Sequence, residues 1–139
     1  FTFYRGTLEE SFCFADPDLL DLETGKYEPI IDHPTGYNEA EGISPDGKFL
    51  MIESDHDHEP KHWNLDIYML MLDGSVKAIH LLDWSDRFSG CHSDNPVVSP
   101  DGKTIAFQFG FNNSQPGQGK GIFLLDVEQY KKMKKNNYS

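Results

Sequence analysis

The hydrophobic residues of this chain fall in short runs separated by polar turns, a pattern typical of antiparallel β-strands. In the middle of the chain it predicts strands over residues 48–54, 65–72 and 76–82, with a polar loop over 55–63. Residues 128–136 form a basic stretch that favours either a short terminal helix or a frayed end. We therefore predict an all-β chain with almost no helix.

A sequence repeat indicates which β-architecture the chain adopts. Residues 43–52 return as residues 98–107, at an offset of 55 residues, and both copies contain Ser-Pro-Asp-Gly-Lys followed by an apolar strand. Proline restricts the backbone and Asp-Gly favours a tight turn, so each copy should join two antiparallel strands. Four short strands in a repeat of this length are typical of the blades of a β-propeller.

The segments on either side of the central repeat follow the same course. Further strands are predicted over residues 11–14, 19–22, 27–31, 103–109 and 121–126. We predict a partial blade over residues 1–38, a complete blade over 39–82, a partial blade over 83–127 and a basic C-terminal tail over 128–139. The predicted fold is a β-propeller of four-stranded antiparallel blades, of which between two and three are present.

The Ser-Pro-Asp-Gly-Lys segments and the apolar strands after them resemble the repeats of TolB-like β-propellers, also called PD40 repeats. The resemblance extends from about residue 10 to residue 126. Such repeats occur in periplasmic scaffolds, in peptidase propellers and in polysaccharide lyases, so the resemblance implies the fold and leaves the activity open. Residues 37–43, 66–68 and 95–108 are similar to a mostly exported bacterial group, which implies a periplasmic or extracellular location.

The number of blades indicates that this chain does not close a ring. Known propellers have about four to eight blades, and this chain supplies fewer than three. We expect the remaining blades to come from a longer chain, of which this is a fragment, or from other copies.

Charge excludes one class of partner. The formal net charge is −11, and it is near −15 without the four lysines between residues 131 and 135. A body this acidic repels nucleic acid, so we predict no nucleic-acid partner. No apolar run is long enough to predict a membrane span, and no signal peptide is visible. Cys13 and Cys91 have no metal or redox spacing.

The predicted loops are the candidate binding regions. Propeller geometry places residues 32–39, 55–63, 83–95 and 112–120 on the face opposite the Ser-Pro-Asp-Gly turns. Five of the six histidines fall in these loops, and His80 falls in an outer strand. Loops on a rigid scaffold commonly carry binding residues, so we predict a ligand site on this face.

A cluster rich in histidine and carboxylate, residues 53–62, could bind zinc, manganese or iron. The alternative is a solvated polar loop whose side chains cap turns. The one candidate cofactor is a divalent metal. The candidate metal ligands are His33, His56, His58 and His92.

A second set of candidates lies where the inner strands begin. Aligning the repeats by their serines places Tyr37 opposite His92 and Glu39 opposite Asp94. Such polar residues at the inner rim could hold a sugar or a cation, or could bond their own backbone. The candidate ligand-binding residues are Tyr37, Asn38, Glu39, Glu41, His92, Asp94 and Asn95.

Three functions fit these patterns. The favoured one is a non-catalytic TolB-like propeller module that binds a protein or glycan at its loop face. The first alternative is a metal-dependent polysaccharide lyase of the oligogalacturonate type, which is similar in repeat type and in the histidine just before an inner strand. The second is the propeller domain of a peptidase. We predict no catalytic residue, because Cys91 and His92 point apart on an extended chain and no Gly-X-Ser-X-Gly elbow occurs.

Overall fold

The computed structural model describes residues 1–4, 14–31, 36–57, 64–75, 78–114 and 118–136. Within them the chain forms three antiparallel sheets and two helices. None of the helices in this part of the chain is long and apolar enough to cross a membrane.

The middle sheet has four strands in sequence order. They are β4 (Asn38–Ile43), β5 (Phe49–Ser54), β6 (Asp66–Met71) and β7 (Ala78–Leu82). All neighbours pair antiparallel, as the hydrophobic pattern predicts.

The Ser-Pro-Asp-Gly turn between β4 and β5 is held by its own side chains. The Ser44 hydroxyl donates to Asp46 at 2.8 Å and accepts from the backbone N–H groups of Lys48 and Phe49. Gly47 has a φ of 69°, which a residue with a Cβ adopts only with strain. Ser99 and Asp101 repeat the same contact at 2.7 Å in the second copy.

The third sheet repeats the first three strands of the middle one. It contains β8 (Cys91–Val98), β9 (Thr104–Phe111) and β10 (Gly121–Asp126), in the order β10-β9-β8. Asn38 pairs with Ser54 in the middle sheet, and Ser93 pairs with Phe109 in the third. Asn38 and Ser93 are 55 residues apart, and so are Ser54 and Phe109, which is the offset of the sequence repeat. The alignment of Tyr37 with His92 and of Glu39 with Asp94 is therefore confirmed.

Both inner strands contain a bulge at the same place. The register shifts between Ala40 and Gly42 in β4, and between Asp94 and Val97 in β8. Asn95 lies in the second bulge with a φ of 51°, the left-handed region that asparagine tolerates better than most residues. Glu41 lies within the first bulge and Asp94 directly before the second, which matters for the site below.

The first sheet differs from its prediction. It contains β1 (Thr2–Tyr4), β2 (Ala15–Leu20) and β3 (Tyr27–Pro29) in that order. The strand expected at 19–22 begins earlier and stops at Leu20, because the Asp21 carboxylate accepts the N–H groups of Glu23 and Thr24 and closes a turn there. The expected strand at 11–14 falls mostly outside the described residues.

A second correction concerns residues 83–95, which were expected to be a loop. Residues 84–87 form α1 (Trp84–Arg87), and Cys91 to Asn95 already belong to β8. Their polarity suggested a loop, but the strand buries several of them: Ser93 contacts Asp66 of the middle sheet, and His92 faces Asp94 within β8. Of the two alternatives given for residues 128–136, a short helix or a frayed end, the structure shows the helix, α2 (Val127–Asn136).

The core lies between the sheets. Met51, Ile67 and Leu81 of the middle sheet pack against Ile105 and Phe107 of the third. On the other face of the middle sheet, a second cluster of Ile52, Tyr68 and Leu70 packs against Ile30 and Ile31, which follow β3. Both faces of the middle sheet are therefore covered, as in stacked propeller blades. The blade boundaries given above remain a prediction.

Candidate functional site

The inner strands β4 and β8, together with the end of β5, bring several carboxylates together. Oxygen atoms of Glu39, Glu41 and Glu53 lie within 4.8 Å of one another. Glu39 and Glu53 are a cross-strand pair, and Glu41 is at the bulge of β4. We call these three glutamates and Asp94 of β8 the acidic rim.

Glu53 joins the middle sheet to the third. Its side chain is buried, and its Oε2 accepts the backbone N–H of Asn95 at 2.7 Å. Asn95 has a left-handed backbone conformation, and its N–H reaches Glu53 from the third sheet. This contact fixes one carboxylate of the acidic rim at a blade-to-blade boundary.

Burial and mutual repulsion change the acidity of the rim. Burial, followed by the charges of Glu39 and Asp94, raises the pKa of Glu41 to about 7. Burial also raises the pKa of Glu53 to about 8; the Asn95 N–H opposes this shift, and the charges of Glu41, Asp94 and Glu39 add to it. Ionising all of the carboxyl groups of the rim near neutral pH is therefore energetically unfavourable.

Asp94 adds a carboxylate that is only partly compensated. Its Oδ2 lies 3.3 Å from His92 Nε2 and 3.5 Å from Gln108 Nε2. Its Oδ1 is buried and has no hydrogen-bond partner among the described residues. A cationic group at the rim would compensate both this oxygen and the glutamates.

His92 is held on both sides of its ring. Nδ1 lies 3.3 Å from Asn112 Oδ1, and Nε2 faces Asp94. The ring covers Gly110, where a Cβ would approach Nε2 to 2.4 Å. Burial lowers the pKa of His92, but the hydrogen bond and charge of Asp94 outweigh burial, so the net shift is upward.

The other predicted rim residues occupy different positions. The Tyr37 hydroxyl donates to the Glu39 carboxylate and so borders the acidic rim. Asn38 is fully buried: it donates to Asp16 at 3.0 Å and accepts from Ser54 at 2.7 Å, which ties the first sheet to the middle one. Asn95 is exposed and contributes its backbone N–H.

The predicted metal ligands do not assemble in the described part of the chain. His33 and His58 lie outside the described residues. His56 is in the turn after β5, next to Asp57, whereas His92 faces Asp94 on β8. Among the described residues, the one group with metal-ligand spacing is formed by the three glutamates, without a histidine.

The sequence did not identify Glu53 as a member of the rim. It was placed at the end of the predicted strand 48–54 and counted with the histidine and carboxylate cluster of residues 53–62, although it is the most buried of the three glutamates. The strand register could have identified it. Glu53 pairs with Glu39 across β4 and β5, and the equivalent residues of the next repeat, Gln108 and Asp94, pair in the same way.

Stacked antiparallel sheets with repeated Ser-Pro-Asp-Gly turns, and a polar rim at the inner strands, define part of a β-propeller of the TolB-like type. No family model matches this chain. The chain is similar to the crystal structure of TolB from Acinetobacter baumannii, with 20% identity and a TM-score of 0.56 over 82% of this chain and 25% of that one. It is also similar to a structure described as a TolB from Agrobacterium tumefaciens, with 20% identity and a TM-score of 0.63 over 82% of this chain and 38% of that one.

These matches concern the fold. The chain spans between about a quarter and two fifths of the length of these TolB structures. The TolB-like propeller expected from the repeats is therefore confirmed, with fewer blades than a closed ring needs.

Proposed function

We propose that this chain is a non-catalytic propeller module that binds a protein ligand through the acidic rim at its loop face. The observation that carries the proposal is the convergence of Glu39, Glu41 and Glu53 beside Asp94. Raised pKa values of Glu41 and Glu53 mean that the rim is under electrostatic strain which a cation relieves. A lysine or arginine side chain supplies both charge and N–H donors.

The acidic rim favours a basic protein segment over a glycan. An uncharged sugar would leave the carboxylates uncompensated, and an acidic polysaccharide would be repelled by them. The lyase alternative needs a metal held by histidine, and at the acidic rim the group with metal-ligand spacing consists of three glutamates without a histidine. The peptidase alternative concerns sequence outside this chain.

The proposal includes the location and the remaining blades. We propose an exported protein, periplasmic or extracellular, on the strength of the sequence resemblance described above. We propose that further blades, from a longer chain or from other copies, cover apolar side chains such as Ile122 and Leu124, which are 70% and 71% exposed on β10.

Fluorescence anisotropy with labelled oligolysine and oligoarginine peptides tests the proposal. The variant Glu39→Gln/Glu41→Gln removes two rim charges without changing size, and we expect it to bind the peptides at least about tenfold more weakly. The matched control is Glu23→Gln/Glu28→Gln, which removes two exposed charges from the turn and strand of the first sheet.

Equal weakening by both double variants would mean that the peptides sense net charge, and would contradict a rim-specific site. Binding of a neutral oligosaccharide that depends on Glu39 and Glu41, without peptide binding, would replace the protein ligand by a glycan.

A further inference from the structure

A second group of polar side chains lies away from the acidic rim, in a cleft between the first and middle sheets. The cleft has a volume of about 460 Å³, and its apolar walls include Ile30, Ile31 and Ile52. Its lining also includes two histidines and one carboxylate, the side-chain types that bind transition metals: His56, His80 and Asp57.

Asp57 stands between the two histidines. Its Oδ1 lies 3.9 Å from His56 Nε2, and its Oδ2 lies 3.8 Å from His80 Nδ1. Two imidazoles and one carboxylate form a donor set that binds divalent transition ions while leaving coordination positions open. Asp57 and His56 come from the turn after β5, and His80 comes from the outer strand β7.

Contacts with residues outside this set of three orient His80 and Asp57. The Nε2 of His80 lies 3.4 Å from the buried carboxylate of Asp66, and its ring stacks on Tyr68 at a centroid distance of 4.3 Å. The Tyr68 hydroxyl donates to Asp57 Oδ2 at 3.1 Å. A carboxylate behind a ligating histidine, and a donor behind a ligating carboxylate, are the supports that protein metal sites commonly use.

Asp66 is itself firmly fixed. It accepts the N–H groups of Trp84 and Ser85 at 2.9 and 3.1 Å, and the Ser85 hydroxyl at 2.9 Å. His80 is therefore oriented by a carboxylate that α1 holds in place, with Nδ1 on the side of Asp57.

We propose that His56, Asp57 and His80 bind a divalent transition-metal ion of the zinc type at the mouth of this cleft. His56 must turn toward the other two, because the three groups do not reach the mutual 4.8 Å spacing of the glutamates. Its side chain is 44% exposed and lies in the turn after β5. The open coordination positions face the cleft, where a ligand group or water completes the shell.

This site shares only His56 with the metal set expected from sequence. His80 was set aside there because it lies in an outer strand, and His92 was included although it faces Asp94. The site is independent of the acidic rim, so either could exist without the other.

Isothermal titration of the metal-free chain with ZnCl₂, repeated with CoCl₂ while recording visible absorption, tests the proposal. We expect one tight site per chain and a cobalt spectrum that indicates histidine ligands. Asp57→Asn and His80→Gln should each weaken binding by more than about tenfold. His92→Gln is the matched control and should bind as the unchanged chain does.

Thermal melts without metal verify that each variant folds, and His56→Gln, in an exposed turn, provides a ligand variant with little effect on packing. Absence of binding, or binding unchanged in both Asp57→Asn and His80→Gln, overturns the proposal. Loss of binding in His58→Gln/His62→Gln with none in His80→Gln also overturns it, and assigns the ion to those two histidines.

Discussion

Glu53 occupies a position in which the ionised form of its side chain is destabilised. Its side chain is buried, three other carboxyl groups surround it, and a single backbone N–H from Asn95 opposes their effect. These conditions raise the pKa of Glu53 from 4.5 to about 8. Because the unfolded chain lacks them, Glu53 links stability to pH.

We expect the free energy of unfolding to fall as the pH rises from about 5 to about 8. In this window the folded state keeps a proton on Glu53 that the unfolded state has lost, so the raised pKa stabilises the fold most below the unfolded value. One such group contributes a slope of at most about 1.4 kcal/mol per pH unit. Glu53→Gln should flatten the slope, as measured by urea unfolding at several pH values.

Comparing the unchanged protein with the Glu53→Gln variant separates the contribution of Glu53 from those of other titrating groups. The raised pKa of Glu41 also reduces stability as the pH rises above about 5, and those of His80 and His92 do so mainly above their ordinary value of 6.5. All three groups remain in the variant, so the difference between the two proteins reports Glu53. The interval between about pH 5 and pH 6 is therefore the most informative. An identical slope in both chains there would contradict the raised pKa.

At the scale of elements, β8 and β9 are packed together by His92 and Gly110. The histidine ring lies on the glycine, and a Cβ at residue 110 would come within 2.8 Å of Cε1 as well as 2.4 Å of Nε2. The ring is confined by Asn112 and Asp94, so it has little freedom to move aside.

Gly110→Ala should therefore destabilise the fold by about 1–3 kcal/mol in urea unfolding, through overpacking. Adding His92→Ala should recover part of the loss, because it removes the ring that the new methyl group meets. Gly42→Ala on β4 is the control: its Cβ would lie 3.6 Å from Pro96 O, an ordinary contact. Equal effects of the two alanine substitutions would contradict the proposed close packing.

The elements that were predicted correctly from sequence are those whose own residues determine whether they are buried. Strands β5, β6 and β9 carry apolar side chains, and the turn chemistry around Ser44 and Ser99 is local. The inner strands β4 and β8 were taken partly as loops. Their polar residues are buried because another sheet supplies the partners, as Asp16 does for Asn38.

The candidate site was predicted in part for the same reason. The repeat alignment gave Glu39, Glu41 and Asp94, since they occupy the start of an inner strand. Glu53 and the position of His80 beside Asp57 depend on how strands and sheets meet, and no local pattern reports such contacts.

At the scale of the whole molecule, the acidic rim is complete only if the middle and third sheets stack as consecutive blades, because Asp94 comes from the third sheet. Glu53 belongs to the middle sheet, whereas Asn95 and Asp94 belong to the third. Buried Met51 and Ile67 of one sheet meet Ile105 and Phe107 of the next, which holds this arrangement. The apolar face of β10 remains exposed, as expected of a chain that covers a minor part of the TolB structures it matches.

The central claim is that stacked blades bring these carboxylates together, and a carbon-13 NMR titration of the glutamate carboxyl groups tests it most directly. Glu41→Gln and Glu53→Gln spectra assign the two signals. The account predicts that they titrate near pH 7 and pH 8, well above the exposed glutamates. Titration of every glutamate near the ordinary value of 4.5 would mean that the rim does not form, and would contradict the account.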